Sequence, residues 1–432
     1  MFFHLLFCLA TAASATTPFG ISQFDRTGQI AWTNAFANGV CTIEGVSTLA
    51  SQQTNQWQPL KNYFTSNSAN GMVTLPVNSD NRFFRVLAVD VSTNTPQGYT
   101  NLLESYGLLH TFAGTGAGAI DGVNYWSAGF EGGYATNAAL SRPHMAMADE
   151  AGNVFIVDKD SHSVLKVTPD GRIHTVAGTH YPGDGPNAAT LATQVNLHSP
   201  NGLYVHGDGT FFILDTGNGK VRRVDAKGVM TTLFSIPGGL NVGRGLWVDE
   251  GELDAVIGDG TTLKLWNPTN GVTILNENFV DLGNIIATAK EKNVIVTDRG
   301  DDKVYSVDIH GKNLGVRTLI YGKGHGNPVV EGTSAVTNCL NGVRGIWKLP
   351  SDGYLLALHE GNQILHVDGA DIVHVFIDGQ NGAHSGDGDW FHSPGYKIAQ
   401  ARSVTMDSQG NILIVENDSG YVRKIDFQRM SP

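Results

Sequence analysis

Six polar residues occupy the same position in a stretch that this chain repeats, and they are the residues best suited to binding or catalysis. In chain order they are His144, Asn201, Arg244, Asn284, Arg344 and Arg402, and each stands at the start of a short apolar run. A position that only maintains a fold would not need a polar residue in every copy. Three arginines in one such set favour an anionic ligand, with a carboxylate or a phosphate as the best match to a guanidinium.

An alternative interpretation needs no ligand. The same arginines could pair with neighbouring carboxylates or carbonyls and hold the repeats together, since polar clusters of this kind also occur as structural ion pairs. The sequence leaves both interpretations open.

A second repeated position, at the end of the next apolar run, is acidic in most copies. Its members are Asp158, Asp215, Asp298 and Glu416, with Asp259 close to the equivalent place. We interpret these acids as caps of the turn that follows each run. The fifth copy has His359 here, followed by Glu360, so His359 and His144 are candidates for a general base or a metal ligand. A neutral substitution in a tolerant position would explain His359 equally well.

Metal binding receives little support from spacing. His144, His162 and His359 could share one face, but no His pair has the short spacing of a zinc motif. Asp121, Asp184 and Asp387 each precede a glycine, a pair that first of all makes turns, although calcium could use such carboxylates. We therefore predict no cofactor, with Ca²⁺ or Zn²⁺ as alternatives. The chain has no Gly-x-Ser-x-Gly elbow, dinucleotide fingerprint or phosphate-binding loop.

The elements that must position these residues are short strands. Residues 197–234 contain the runs GLYVH, TFFILD, KVRRVD and VMTTLF, separated by turns, and related stretches begin at residues 140, 240, 279, 340 and 399. About 40 residues with four strands predict one blade of a propeller. The last copy lacks its fourth strand, and residues 108–113 match that strand. We therefore predict an all-β, six-bladed β-propeller over residues 107–427, closed by residues 108–113. The six polar residues would then start the inner strands and surround the channel mouth.

These repeats resemble the NHL family of six-bladed propellers. Residues 200–203 (PNGL), 153–158 (NVFIVD) and 220–224 (KVRRV) match its pattern, and the glycine-rich Asp-Gly linkers match a bacterial variant. The copies that begin at residues 240 and 279 depart most from the pattern. The resemblance implies the fold and says little about function, because a propeller is a scaffold for many activities.

Long connections between the repeats carry aromatic residues that could contact a ligand. They are Tyr125, Trp126, Tyr134, Tyr181, Trp390 and Phe391. Exposed aromatic rings near arginines would suit sugars, peptides or a protein partner, whereas a structural role would have them cover the propeller.

Residues 20–95 lack the repeat but alternate in the manner of strands, with Trp57, Phe83 and Phe84 available for a core. We predict a small N-terminal β-sandwich-like domain, with an extended cap on the propeller as the alternative. Residues 96–106 read as a linker.

Residues 1–15 resemble a secretory signal peptide, with an apolar run and the small residues Ala13, Ser14 and Ala15, although basic residues are missing. The alternative is an ordinary N-terminal strand. We expect a secreted, extracellular or periplasmic monomer in which Cys41 and Cys339 are buried thiols, although a disulfide between them is possible. The net charge of −12 argues against nucleic acid and anionic membranes as partners.

Two functions follow. The first is a recognition module whose mouth binds an anionic small molecule, sugar acid, carbohydrate, peptide or protein. The second is a hydrolase or lyase, because related six-bladed propellers include gluconolactonase-like, strictosidine-synthase-like and peptidyl-hydroxyglycine-cleaving enzymes. The absence of a carboxylate from the six-residue ring favours binding. RNA binding, known for some NHL proteins, conflicts with the charge.

Overall fold

The computed structural model describes residues 6–10, 19–25, 27–48, 57–65, 70–75, 83–92, 95–118, 120–287, 292–350, 353–379 and 384–427. Over these ranges the chain forms two β domains joined by one α-helix. No helix within them is long and apolar enough to cross a membrane.

The N-terminal domain is a two-sheet sandwich, as the alternating pattern predicts. Its strands are β1 (Leu6–Ala10), β2 (Gly20–Phe24), β3 (Gln29–Thr33), β4 (Gly39–Val46), β5 (Gln58–Thr65), β6 (Gly71–Thr74) and β7 (Phe83–Asp90). One sheet has the order β1-β7-β4-β5 and the other β2-β3-β6. Trp32, Ile30 and Ile43 are the largest fully buried side chains between them. Period-two alternation places one face of each strand in this core.

Strand β1 lies inside the segment that resembles a signal peptide. It pairs in parallel with β7, with Leu6 opposite Phe84, as the alternative interpretation of this segment expects. The remaining residues of the segment, 1–5 and 11–15, lie outside the described residues. Cleavage and secretion stay predictions, and cleavage would remove an edge strand from the sandwich.

The expected linker is a helix, α1 (Pro96–Glu104). The Thr95 side chain accepts a hydrogen bond from the Gly98 N–H, and Pro96 occupies the first turn. Both features favour a helix start. Capping and the burial of Leu102 explain why the predicted linker segment is helical despite its polar composition.

The propeller has six blades, each an antiparallel sheet. Blade one has β9 (Pro143–Ala148), β10 (Val154–Asp158), β11 (Ser163–Val167) and β12 (Ile173–Ala177). Blade two has β13 (Thr190–Leu191), β14 (Gly202–Val205), β15 (Phe211–Asp215), β16 (Lys220–Val224) and β17 (Val229–Ser235). Blade three has β18 (Gly243–Val248), β19 (Ala255–Asp259), β20 (Thr262–Asn267) and β21 (Gly271–Asn276).

Blade four has β22 (Leu282–Ala287), β23 (Asn293–Asp298), β24 (Lys303–Asp308) and β25 (Arg317–Tyr321). Blade five has β26 (Thr333–Ser334), β27 (Val343–Lys348), β28 (Tyr354–Leu358), β29 (Gln363–Val367) and β30 (Ile372–Asp378). Blade six has β31 (Ala401–Met406), β32 (Ile412–Glu416), β33 (Tyr421–Phe427) and β8 (Tyr106–Ala113). Short 3-10 turns in the connections lie at Ala128–Phe130, Ala135–Asn137, Ala192–Gln194, Thr216–Asn218 and Ala335–Thr337. Blades three and four form ordinary sheets although their sequences depart most from the repeat.

Ring closure occurs as predicted. Strand β8 pairs antiparallel with β33, with Leu109 opposite Ile425, and so completes blade six. The strand begins at Tyr106, two residues before the predicted start. Because both chain ends build one blade, the first and last blades leave no open edge between them.

The N-terminal domain packs on the propeller face opposite the starts of the inner strands. The Asn62 amide donates to the Gln409 carbonyl at 2.8 Å, and the Phe64 ring lies 5.5 Å from that of Phe427. Gln409 is in the turn between β31 and β32, which lies at the far end of the inner strand. We call this side the domain face and the other side the mouth face.

Cys41 and Cys339 are buried free thiols. One belongs to the N-terminal sandwich and the other to the connection before β27. The expectation of two buried thiols is confirmed.

Candidate functional site

All six polar residues that start the repeats meet in one cavity at the channel mouth. The cavity is lined by His144, Met145, Asn201, Arg244, Gly283, Asn284, Arg299, Arg344 and Arg402. The space that it encloses is about 20 Å³. The whole empty volume of the pocket, which includes the part open to solvent, is about 300 Å³. The structure therefore brings the six predicted residues together, whereas ligand binding by them stays a prediction. We refer to this space as the mouth cavity.

Local irregularities of the inner strands place these side chains. In β18 the pairing with β19 passes from Gly243 directly to Gly245, so that Arg244 is an extra residue with no paired residue on β19. The same break occurs around Arg344 in β27, Arg402 in β31, His144 in β9 and Asn284 in β22. A β-bulge bends the strand and redirects the extra side chain, and bulges are frequent beside functional sites.

Glycine next to the site residues permits close packing around the channel. A Cβ on Gly245 would lie 2.7 Å from the Gly283 carbonyl of the next blade, and one on Gly345 would lie 3.0 Å from the Arg402 carbonyl. Side chains at these positions would push neighbouring inner strands apart, so the Arg-Gly pairs keep the guanidiniums near one another.

Ion pairs satisfy three of the four cavity arginines. Arg244 contacts Asp281 at 2.5 Å, and Arg299 contacts the same carboxylate. Arg344 contacts Glu360 at 2.8 Å. The interpretation that arginines pair with carboxylates thus holds for Arg244 and Arg344. In these pairs the arginines neutralise the acids near the cavity.

Arg402 has a different environment. It is 8% exposed, and the partner that the structure gives its guanidinium is the Asn201 side-chain oxygen at 3.4 Å. Burial, followed by the positive charges of Arg344, Arg244 and Arg299, lowers the pKa of Arg402 well below its ordinary value. A buried charge is costly unless it is paired, and Arg402 makes no ion pair with a described acid.

His144 is buried beside Arg402. Its Nδ1 atom has no hydrogen-bond partner among the described residues. Burial and then the Arg402 charge lower the pKa of His144 well below its usual value, so the imidazole is neutral near neutral pH. A neutral imidazole can offer one donor and one acceptor to a ligand.

Asn284 has a structural role as well as a cavity position. Its amide donates to the Ile346 carbonyl at 3.1 Å, and its oxygen accepts from the Ile285 N–H at 2.8 Å. The side chain therefore joins the inner strands of blades four and five.

His359 lies beside the mouth cavity and is absent from its lining. Its Nε2 is 3.2 Å from an Asp418 oxygen, and its Nδ1 is 3.4 Å from a Glu360 oxygen. The neighbouring His359 imidazole lowers the pKa of Asp418 to about 2. His359 thus connects two acids whose other partners are Arg344 and Arg142, which makes it a positioning residue for the ion pairs at the mouth.

The repeated acids were predicted to cap the following turn, and this detail was wrong. Asp215 accepts from the His198 N–H at 2.8 Å, Asp298 from Asp281 at 2.9 Å and Asp158 from Ser141 at 2.7 Å. Each acid therefore anchors the connection that arrives from the preceding blade. That connection and the strand end are neighbours only in the folded sheet.

The Asp-Gly carboxylates are neutralised by cations. Asp121 contacts Arg142 at 2.7 Å, Asp184 contacts Arg222 at 2.6 Å, and Asp387 contacts Arg423 at 2.7 Å. These pairs do not require calcium. In the part of the chain that the structure describes, no group of three or more His, Cys, Asp or Glu side chains could hold a metal ion. His162 instead accepts from the Ser199 N–H at 3.0 Å.

The loop aromatics do not line the mouth cavity. Trp126 stacks on His180 at 4.8 Å, and the Trp390 indole donates to the Tyr106 carbonyl at 3.1 Å. Tyr134 stacks under Arg172, and Phe391 is buried in the core. The Tyr125 N–H donates to Ser141 Oγ, whereas Tyr181 is 72% exposed. A ligand role for these rings stays a prediction, and the contacts favour packing for most of them.

Sequence reasoning missed Arg299. This residue directly follows the repeated acid Asp298, and the equivalent positions hold Lys159, Thr216, Gly260, Glu360 and Asn417. Comparing the copies at this second varying position would have drawn attention to Arg299.

Comparison with known proteins identifies the fold. No family model and no curated protein matches this chain. A Bacteroides thetaiotaomicron protein of unknown function is 13% identical with a TM-score of 0.57, and 95% of this chain and 98% of that chain are covered. An auxiliary nutrient binding protein from the same organism is 14% identical with a TM-score of 0.56, covering 96% and 99%.

A third structure, an auxiliary nutrient binding protein from Bacteroides ovatus, is 12% identical with a TM-score of 0.55, covering 92% of this chain and 93% of that chain. At these identities the likeness shows the fold alone. Because nearly the whole of each chain is covered, the shared fold includes the N-terminal domain, and this chain is a β-propeller protein with an N-terminal β domain.

Proposed function

We propose that this protein is a binding protein whose mouth cavity takes a small anionic ligand. The observation that carries the proposal is Arg402, a buried guanidinium without a carboxylate partner among the described residues. The cavity surrounds it with further arginines and neutral polar groups. A bound anion would supply the missing charge and accept charge-assisted hydrogen bonds, which are stronger than neutral ones.

The enclosed volume limits what part of the ligand enters. About 20 Å³ is room for one or two water-sized groups, so one or two oxygens of a compact oxyanion would fit in the enclosed space. The rest of the ligand would occupy the wider mouth. Solved structures described as auxiliary nutrient binding proteins agree with a binding role.

The proposal includes secretion of the protein and its relationship to NHL-type propellers. The N-terminal apolar segment supports a secreted protein, and the repeat pattern supports an NHL-type propeller. A secreted binding protein would meet small nutrients or fragments of larger molecules outside the cytoplasm.

His144 favours one alternative, a hydrolase or lyase that uses the same cavity. A neutral buried imidazole beside a bound anion could accept a proton from a substrate. Recovery of every bound compound chemically unchanged, checked by NMR after prolonged incubation, would support binding alone, and conversion that Arg402→Met abolishes would support the enzyme.

The central test uses Arg402→Met, which keeps most of the side-chain volume and removes the charge. We expect at least about 30-fold weaker binding of an anion by calorimetry, or about 2 kcal/mol, because a buried charge pair is lost. The unliganded variant should be at least as stable as the parent in thermal unfolding, since an uncompensated buried charge is removed.

Two variants serve as controls. Arg172→Met removes a charge from a guanidinium that stacks on Tyr134 and should leave anion binding unchanged. Arg423→Met breaks buried pairs to Glu416 and Asp387 and should lose about 3–5 kcal/mol of stability. The outcome against the proposal is that Arg402→Met loses as much stability as Arg423→Met and that anions bind neither Arg402→Met nor the parent protein. The cavity arginines would then only hold the blades together.

A further inference from the structure

The charges at the mouth cavity do not cancel. Arg244 and Arg299 share the single carboxylate of Asp281, and Arg344 has Glu360. Arg402 adds a fourth positive charge that makes no ion pair with a described acid, and Asp418, whose charge acts on it, is paired with Arg142 and lies beside His359. Four guanidiniums against two carboxylates leave two positive charges, and a singly charged ligand would still leave one of them unpaired.

Neighbouring charges outside the lining form a network of their own along the rim. Arg142 lies between Asp121 and Asp418, and Lys159 contacts Asp121 and Asp160. His359 lies between Asp418 and Glu360. The rim thus holds two cations and three further acids, which are engaged with one another, so the excess positive charge lies inside the cavity and the rim around it is slightly acidic.

The guanidiniums also approach from several directions. They come from the inner strands of blades three, five and six and from the residue after β23 in blade four, whereas blades one and two contribute the neutral His144 and Asn201. Four of six sectors of the ring are therefore cationic. A planar carboxylate presents its two oxygens on one side, while a phosphoryl group presents three acceptor oxygens around its axis.

Resting on the proposed function, we infer that the mouth cavity is specific for a dianionic tetrahedral oxyanion, the phosphoryl group of inorganic phosphate or of a phosphate monoester. The phosphoryl oxygens lie among Arg244, Arg299, Arg344 and Arg402, and the ester group of a monoester points out of the mouth. His144 and Asn201 face the ligand from the neutral side of the ring.

The test exploits the second ionisation of a phosphate monoester, whose pKa is about 6. Binding of glucose 6-phosphate, inorganic phosphate, sulfate, glucuronate and glucose is measured by calorimetry at about pH 5 and about pH 7.5. Sulfate is a tetrahedral dianion at both pH values, so it corrects for titration of protein groups. Comparison of inorganic phosphate with the monoester shows which source of the phosphoryl group fits better.

We expect the affinity for glucose 6-phosphate, relative to sulfate, to rise about tenfold between the two pH values, following the dianion fraction. Glucuronate should bind at least about tenfold more weakly than glucose 6-phosphate at the higher pH, and glucose should not bind. In Arg402→Met, which leaves one excess charge, the preference for the dianion over glucuronate should shrink, while Arg172→Met keeps it.

Equal affinities for glucuronate and glucose 6-phosphate, or a ratio to sulfate that stays constant with pH, would overturn the dianion inference while leaving the anion site in place. Failure of every anion to bind the folded parent protein would overturn the proposed function as well.

Discussion

At the scale of the residue, two buried arginines of this chain have opposite environments. Arg423 is fully buried and contacts Glu416 at 3.1 Å, whereas Arg402 has an amide oxygen as its partner. A buried charge without compensation lowers stability, and the anion that we propose for the mouth cavity would compensate Arg402.

Asp158, one of the repeated acids at the strand ends, has a buried oxygen without a hydrogen bond. This oxygen, Oδ2, has no partner among the described residues. Burial raises its pKa to about 7, above the unfolded value of about 3.9. The protonated form therefore stabilises the fold below about pH 4, and this contribution is lost as the pH rises toward 7.

We accordingly expect Asp158→Asn to gain stability over the parent as the pH rises from about 4 to about 8, by up to about 4 kcal/mol. Urea unfolding at both pH values measures the difference. The control is the same replacement at Asp389, whose side chain is 59% exposed, measured at the same two pH values. A constant difference for Asp158→Asn would show that the carboxyl is charged throughout.

At the scale of the element, strand β8 closes the ring and its faces alternate. Leu109 is fully buried, while the adjacent Leu108 is 46% exposed. We expect Leu109→Ala to cost about 2–5 kcal/mol of unfolding free energy, because a core side chain is removed. Leu108→Ala is the matched control and should change stability by less than about 0.5 kcal/mol. Similar losses in both variants would argue against this register of β8 on β33.

The inner strands illustrate why bulges matter for function. If the inner strands paired without a bulge, the side chains of Arg244, Arg344 and Arg402 would face the neighbouring blade, among apolar residues. The extra residue in each strand instead exposes these side chains to the channel. Gly245 and Gly345, which follow Arg244 and Arg344, let the blades approach.

At the scale of the whole molecule, the sandwich domain and the mouth cavity are on opposite faces of the propeller. Phe64 packs on Phe427 at the domain face and reaches Gly410. Phe64→Ala should therefore lower stability by about 1–3 kcal/mol and leave anion affinity within about twofold of the parent.

Thermal unfolding and calorimetry on the same samples measure both effects. Met72, which is 52% exposed in the sandwich, provides the control variant Met72→Ala, which should alter neither. A clear loss of anion affinity in Phe64→Ala would reveal coupling between the two faces.

The six blades, the closure by β8, the N-terminal β domain and the six residues around the mouth could all be predicted from the sequence. Strand alternation and turns are local signals, and a repeat multiplies them, so these features are readable without coordinates. The resemblance to NHL repeats added the same architecture and no ligand.

Which arginines are compensated by acids depends on contacts that form in the folded ring. Arg244 meets Asp281 across 37 positions of the chain, and Arg402 meets Asn201 across 201, so no spacing rule could assign these partners. The bulges, the place of Arg299 and the packing of the loop aromatics also depend on contacts between blades. Charge balance at the mouth is a sum over residues from four blades, and it exists only once the ring has closed.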